Sequence, residues 1–165
     1  MKAALMKPAA PIRRIHPIAG AIALLTIASF WLATVAAEIW GSAATVAAVK
    51  TAIPWGFLLL VPALAATGGS GMALAQGGQA REGQAGGARG GLAARKRRRM
   101  AIIAANGMLV LIPSALFLAA RAGAGRFDTG FVLVQAIELV AGAVNLTLLC
   151  LNLRDGIRMA RGRKA

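Results

Sequence analysis

The sequence predicts an all-α integral membrane protein, a bundle of four transmembrane helices with the N- and C-termini cytoplasmic. Three observations predict it. The 165 residues are 58% hydrophobic with a mean hydropathy of +0.69, more apolar surface than a soluble domain of that length can bury. Four stretches reach the roughly 20 residues that a helix needs to cross a hydrocarbon core of about 30 Å with its backbone polar groups satisfied internally. The 19 basic residues, set against 5 acidic ones, lie almost wholly between those stretches and alternate from loop to loop, as the positive-inside rule requires.

The first span covers residues 17–37, between Arg13, Arg14 and His16 on one side and Glu38 on the other. An alternative makes it a secretory signal peptide cut after Val35-Ala36-Ala37. Its apolar stretch, however, exceeds the usual roughly 7–15 residues, and cleavage would leave an odd three spans. Arg13-Arg14 fits a twin-arginine signal poorly in its flanking residues. The second span covers 53–72, the third 100–120 and the fourth 131–153, so the chain reads as one membrane domain, 1–165. Lys2, Lys7, Arg13 and Arg14 before span one, Arg81, Arg89 and Arg95 to Arg99 between spans two and three, and Arg154, Arg158, Arg161, Arg163 and Lys164 after span four are all expected in the cytoplasm. Lys50, Arg121 and Arg126 are left to two short outer connections. Trp40, Trp55, Phe127 and Phe131 are expected to form an aromatic belt at that outer boundary.

Residues 76–99 form the basic cytoplasmic loop. Its Gly-, Gln- and Ala-rich part, up to Ala94, reads as a flexible linker with no packed structure, which leaves two helical hairpins around it. Gly68-Gly69-Ser70-Gly71 is expected to end span two as a flexible exit. A glycine turn that closes a helix presents the wrong end of the dipole to a phosphate.

Polar groups inside a bilayer are costly, so they are the place to look for function. Gln135, Glu138, Asn145 and Asn152 fall within about 100° of one another on a helical wheel, with Gly142 on the same stripe. The stripe is expected to face the other helices, as an ion, proton or cofactor site or as interhelical hydrogen bonding. Asn106 and Asn145 share a depth, counted from the cytoplasmic ends of spans three and four, and are expected to face each other. Glu138 counts to the level of Ser29, Pro62, Pro113 and Ser114, where the prolines release backbone carbonyls. No basic residue is expected at that depth, so Glu138 is expected to be protonated. The intramembrane polar site is therefore Glu138, Gln135, Asn145, Asn106 and Ser114.

His16, the only histidine, stands at the cytoplasmic mouth of span one as a haem-ligand candidate. Its place near the start of a span resembles the b561-type cytochromes. Those proteins use histidines on several helices, so a haem here would need a methionine as second ligand or His16 from two protomers. The simpler expectation is an interfacial histidine and no cofactor. Arg95, Lys96, Arg97, Arg98 and Arg99 form a topogenic stop that contacts anionic lipid headgroups; no aromatic interleaves them, so nucleic acid is not an expected partner. Cys150, alone and within a span, excludes an intramolecular disulfide or a cysteine metal cluster. The glycosylation triplet Asn145-Leu146-Thr147 lies within a span and has no meaning there. No metal site, Ser-His-Asp set, P-loop or paired catalytic carboxylates can be drawn, so no enzyme activity is expected.

The whole pattern resembles the small four-span inner-membrane proteins of GC-rich bacteria, and that likeness implies no activity. The leading expectation is a non-catalytic component of the bacterial inner membrane, associating with itself as a homodimer or with a larger membrane complex through small-residue faces such as Ala19, Ala23 and Gly142. The second is a small proton-coupled transporter using Glu138, and the third a haem-binding electron-transfer protein using His16.

Overall fold

The computed structural model describes residues 10–82 and 88–161, and all of its regular structure is helical. Helix α1 spans Ala10–Trp40, α2 Ala43–Glu82, α3 Ala88–Asn106, α4 Ile112–Gly123 and α5 Thr129–Arg161, with a π-helical turn at Gly107–Leu111 joining α3 to α4. Four helices are long and apolar enough to cross a membrane: Arg14–Trp40, Ala43–Leu74, Arg98–Gly123 (through the π turn) and Thr129–Arg158. Large apolar side chains such as Leu25, Leu58, Met108, Leu133 and Val140 point outward. Length and outward apolarity together support a multi-pass membrane protein.

The α1–α2 connection is only Gly41 and Ser42. Ser42 caps α2: its Oγ accepts from the Thr45 backbone N–H at 3.3 Å, while the Ser42 N–H donates to Thr45 Oγ1 at 3.3 Å. That reciprocal cap starts α2 at Ala43, ten positions before the expected start of span two. Two expectations fall with it. Lys50 is not in an outer connection but inside α2, and Trp55 is not at the boundary but about 18 Å along α2 from Ala43 at 1.5 Å per residue.

The other end of α2 also departs from expectation. The helix runs straight through Gly68-Gly69-Ser70-Gly71 to Glu82, and α3 begins at Ala88, so much of the expected linker is helical; residues 83–87 lie outside the described residues. His16 of α1 explains the glycines in part, since a Cβ on Gly71 would stand 3.1 Å from His16 Cε1.

The π turn has a cause in Pro113. A proline ring clashes with the carbonyl four residues back, here Leu109, and widening the preceding turn relieves it. The Ile112 N–H accordingly bonds the Gly107 carbonyl instead of the usual i−4 partner. After α4, Gly125 adopts φ +66° and its N–H bonds the Ala122 carbonyl at 3.0 Å, a left-handed helix end that suits glycine. Asp128 then caps α5, its Oδ1 accepting from the Phe131 N–H at 3.0 Å, and also pairs with Arg121.

The helices follow one another in a ring: α1 beside α2, α2 beside α4, α4 beside α5, and α5 back beside α1, with α3 extending α4 along α5. Helices α2 and α5 are therefore diagonal to each other. At the end carrying the two short connections, the hairpin end, Ala37, Val46, Leu118, Ala122 and Phe131 make one buried apolar cluster. Toward the opposite, arginine-rich end, Ala23, Ile27, Leu60 and Ala63 make a second.

Candidate functional site

Between the two apolar clusters lies a polar centre built from three helices. Lys50 of α2, 1% exposed, forms a salt bridge with Glu138 of α5, whose side chain is 12% exposed, and donates to Thr34 Oγ1 of α1 at 3.4 Å. Burial in such surroundings makes the partnership obligatory, because a lone ammonium or carboxylate in a low-dielectric interior is strongly disfavoured. This corrects the expectations for Glu138. A basic residue does stand at its level, the reason for expecting it protonated is removed, and the group that meets it is an ammonium and not carbonyls released by prolines. Pro62 lies about 18 Å further along α2 than Lys50, and Ser29 is exposed.

The stripe on α5 does face inward. Gln135 (5% exposed), Asn145 (2%) and Asn152 (6%) are buried along one side of the helix together with Gly142 and Asp155. Gln135 and Asn152 have a property in common: among the described residues, neither the amide nitrogen nor the carbonyl oxygen of either side chain has a hydrogen-bond partner. Asn145 is satisfied. Its Oδ1 accepts from Asn106 Nδ2 at 2.9 Å, Asn106 also donates to the Ala141 carbonyl at 2.9 Å, and Asn145 Nδ2 reaches the Ile103 carbonyl at 3.4 Å. The π turn begins immediately after Asn106. The pair expected from shared depth and an inward bias is thus present, at about 0.6 kcal/mol for an average interhelical bond of this kind.

Between Glu138 and Asn145 the stripe is interrupted by an aromatic ring. Trp31 of α1 lays its indole on Gly142, where a Cβ would meet Trp31 Cδ1 at 2.7 Å, and its Nε1–H donates to the Leu139 carbonyl at 2.9 Å. Glycine at 142 is what lets the ring reach the α5 backbone.

At the arginine-rich end, Arg99 donates to Asp155 Oδ2 at 2.6 Å, with Arg154 Nε 3.8 Å from Asp155 Oδ1. Arg99 is therefore engaged with α5, a departure from its expected place among the headgroup contacts. Arg95 and Arg98 are exposed, whereas the side chains of Lys96 and Arg97 lie outside the described residues. Ser114 is buried on α4, apart from the groups that Lys50 and Glu138 bond. His16 Nδ1 lies 3.1 Å from the Thr67 carbonyl and 3.1 Å from Ser70 Oγ, which ties α1 to α2. Among the described residues no group of three or more His, Cys, Asp or Glu side chains is placed to hold a metal ion.

The residues missed in the sequence are Lys50, Thr34, Trp31 and Asp155. A signal for Lys50 was present in Ser42-Ala43-Ala44-Thr45, whose spacing allows a reciprocal helix cap eight residues before the lysine and so places the lysine two turns inside a helix. No family model, no curated protein and no solved structure matches the chain.

Proposed function

We propose that the chain is a small proton-coupled transport protein of the bacterial inner membrane, a four-helix bundle with both termini and the basic 76–99 segment on the cytoplasmic side. Glu138 is the proton-exchanging carboxylate and Lys50 its counter-ion. The observation that carries this reading is the Lys50–Glu138 salt bridge between diagonal helices. Ionisable side chains within a membrane-spanning segment are costly and mark proton and substrate pathways. A pair held across the centre also links chemistry to shape. When Glu138 takes up a proton, Lys50 loses its counter-ion, and the tie between α2 and α5 weakens from an ion pair to a hydrogen bond between an ammonium and an uncharged carboxyl. The alternation of basic segments supports the orientation.

A second reading is a non-catalytic component acting by association with itself or with a larger complex, in which the polar groups of the interior, such as the Asn106–Asn145 and Trp31–Leu139 bonds, serve packing alone. Both tie helix to helix and need no transport role. Proton release separates the two. Titrating the purified protein, in weak buffer with a pH dye, against a panel of small cations, zwitterions and anions is expected to release protons with at least one solute. Glu138→Gln is expected to abolish the release, and Lys50→Met/Glu138→Gln, which strands no buried ammonium, is expected to abolish it while leaving the protein monodisperse. A wild type that releases none across the panel favours association.

A further inference from the structure

The inward face of α5 carries polar side chains at Gln135, Glu138, Asn145, Asn152 and Asp155. From Gln135 to Asp155 this file is about 30 Å long at 1.5 Å per residue, the thickness of a hydrocarbon core. The Trp31 indole, seated on Gly142, interrupts it, and Leu146 and Leu149, partly buried against the second apolar cluster, lie between Asn145 and Asn152. On the hairpin side of the ring stand Gln135, Glu138, Lys50 and Thr34; on the arginine-rich side stand Asn145 with Asn106, then Asn152, then Asp155 with Arg99. The orphaned side chains, Gln135 and Asn152, belong one to each half. A fully buried amide with neither donor nor acceptor satisfied is costly, and a bridging water is the usual remedy.

From this arrangement, and resting on the transport reading above, we propose that the file is a proton path in two hydrated halves, with water held at Gln135 and at Asn152, and that Trp31 is the gate between them. The half at the hairpin end delivers a proton to Glu138 through Gln135-bound water, and the half at the arginine-rich end carries it from Asn145 past Asn152 to the Arg99–Asp155 pair. Among the described residues, the charged groups facing Glu138 are Lys50 and, acting on Lys50 from α1, Glu38. In the closed state the indole covers the α5 backbone at Gly142, and its N–H is engaged by the Leu139 carbonyl. A proton on Glu138 therefore exchanges with one side only. The transfer is of a proton alone, from hydronium to carboxylate and onward to water, so charge balances without a further reactant.

The gate is tested in liposomes loaded with a pH dye, under an inward proton gradient with the potassium potential clamped and no added solute. Trp31→Ala is expected to raise the proton leak by about tenfold or more over wild type, and Trp31→Ala/Glu138→Gln is expected to return it to the wild-type level. Gly142→Ala, which retains every polar side chain and displaces the indole, is the second variant and is expected to leak in the same Glu138-dependent manner. If neither variant leaks more than wild type, or if the leak persists in the Glu138→Gln background, the gate is overturned. That result leaves the transport reading to stand or fall on solute-driven proton release, measured separately on the wild type.

Discussion

Lys50→Met is expected to destabilise the folded protein by about 3–5 kcal/mol, the usual cost of removing one partner of a buried ion pair and leaving the other uncompensated. The substitution keeps the length and apolar stem of the side chain, so little of the loss arises from packing. It removes the counter-ion of Glu138 and the donor to Thr34 together. Lys50→Met/Glu138→Met is expected to recover most of the loss, because two apolar side chains of similar volume need no partner in an interior of this kind. Reversible unfolding in mixed micelles measures both. A single variant within about 0.5 kcal/mol of wild type, the range of an uninvolved surface position, would show that the pair does not hold α2 to α5.

Gly56→Ala is expected to have the next largest effect, about 1–3 kcal/mol, from overpacking between α1 and α2. A Cβ at position 56 would stand 2.1 Å from Phe30 Cζ and 2.6 Å from Phe30 Cε1, well inside contact distance. The ring is not free to turn away without loss, because it also meets Phe57 edge-on at a centroid distance of 6.5 Å. Phe30→Ala in the same chain removes the clash, so the double variant is expected to be more stable than the sum of the two single effects. Additive losses in a double-mutant cycle would place the ring elsewhere.

What sequence reasoning reached and what it missed follow from the kind of information each element uses. The inward stripe of α5 depends only on the 3.6-residue repeat, so Gln135, Glu138, Asn145 and Asn152 could be assigned to one face without knowing any neighbour. The Asn106–Asn145 pair followed because both depths were counted from the arginine-rich end, where Arg99 and Arg154 mark clear boundaries. Hydropathy matches Glu138 to the wrong level of α2, because a lysine reads as a boundary on any hydropathy scale and shifts the start of that helix past itself. Only the Ser42–Thr45 cap shows that the helix begins before the lysine. The glycine run at 68–71 read as a helix end on propensity alone, whereas packing against His16 accounts for a glycine at 71 within a continuous helix. The seat of Trp31 on Gly142 is a contact between residues far apart in the chain, and no periodicity or spacing encodes it.

The central claim is that Glu138 resides in an ion pair with Lys50, and infrared difference spectroscopy of its carboxyl group measures this most directly. Spectra of wild type minus Glu138→Gln at neutral pH are expected to show an ionised carboxylate at position 138. The same difference taken in the Lys50→Met background is expected to show a protonated carboxyl in its place, since the carboxylate would then be buried without a cation. A protonated carboxyl at neutral pH in the wild type, unchanged by Lys50→Met, would contradict the account.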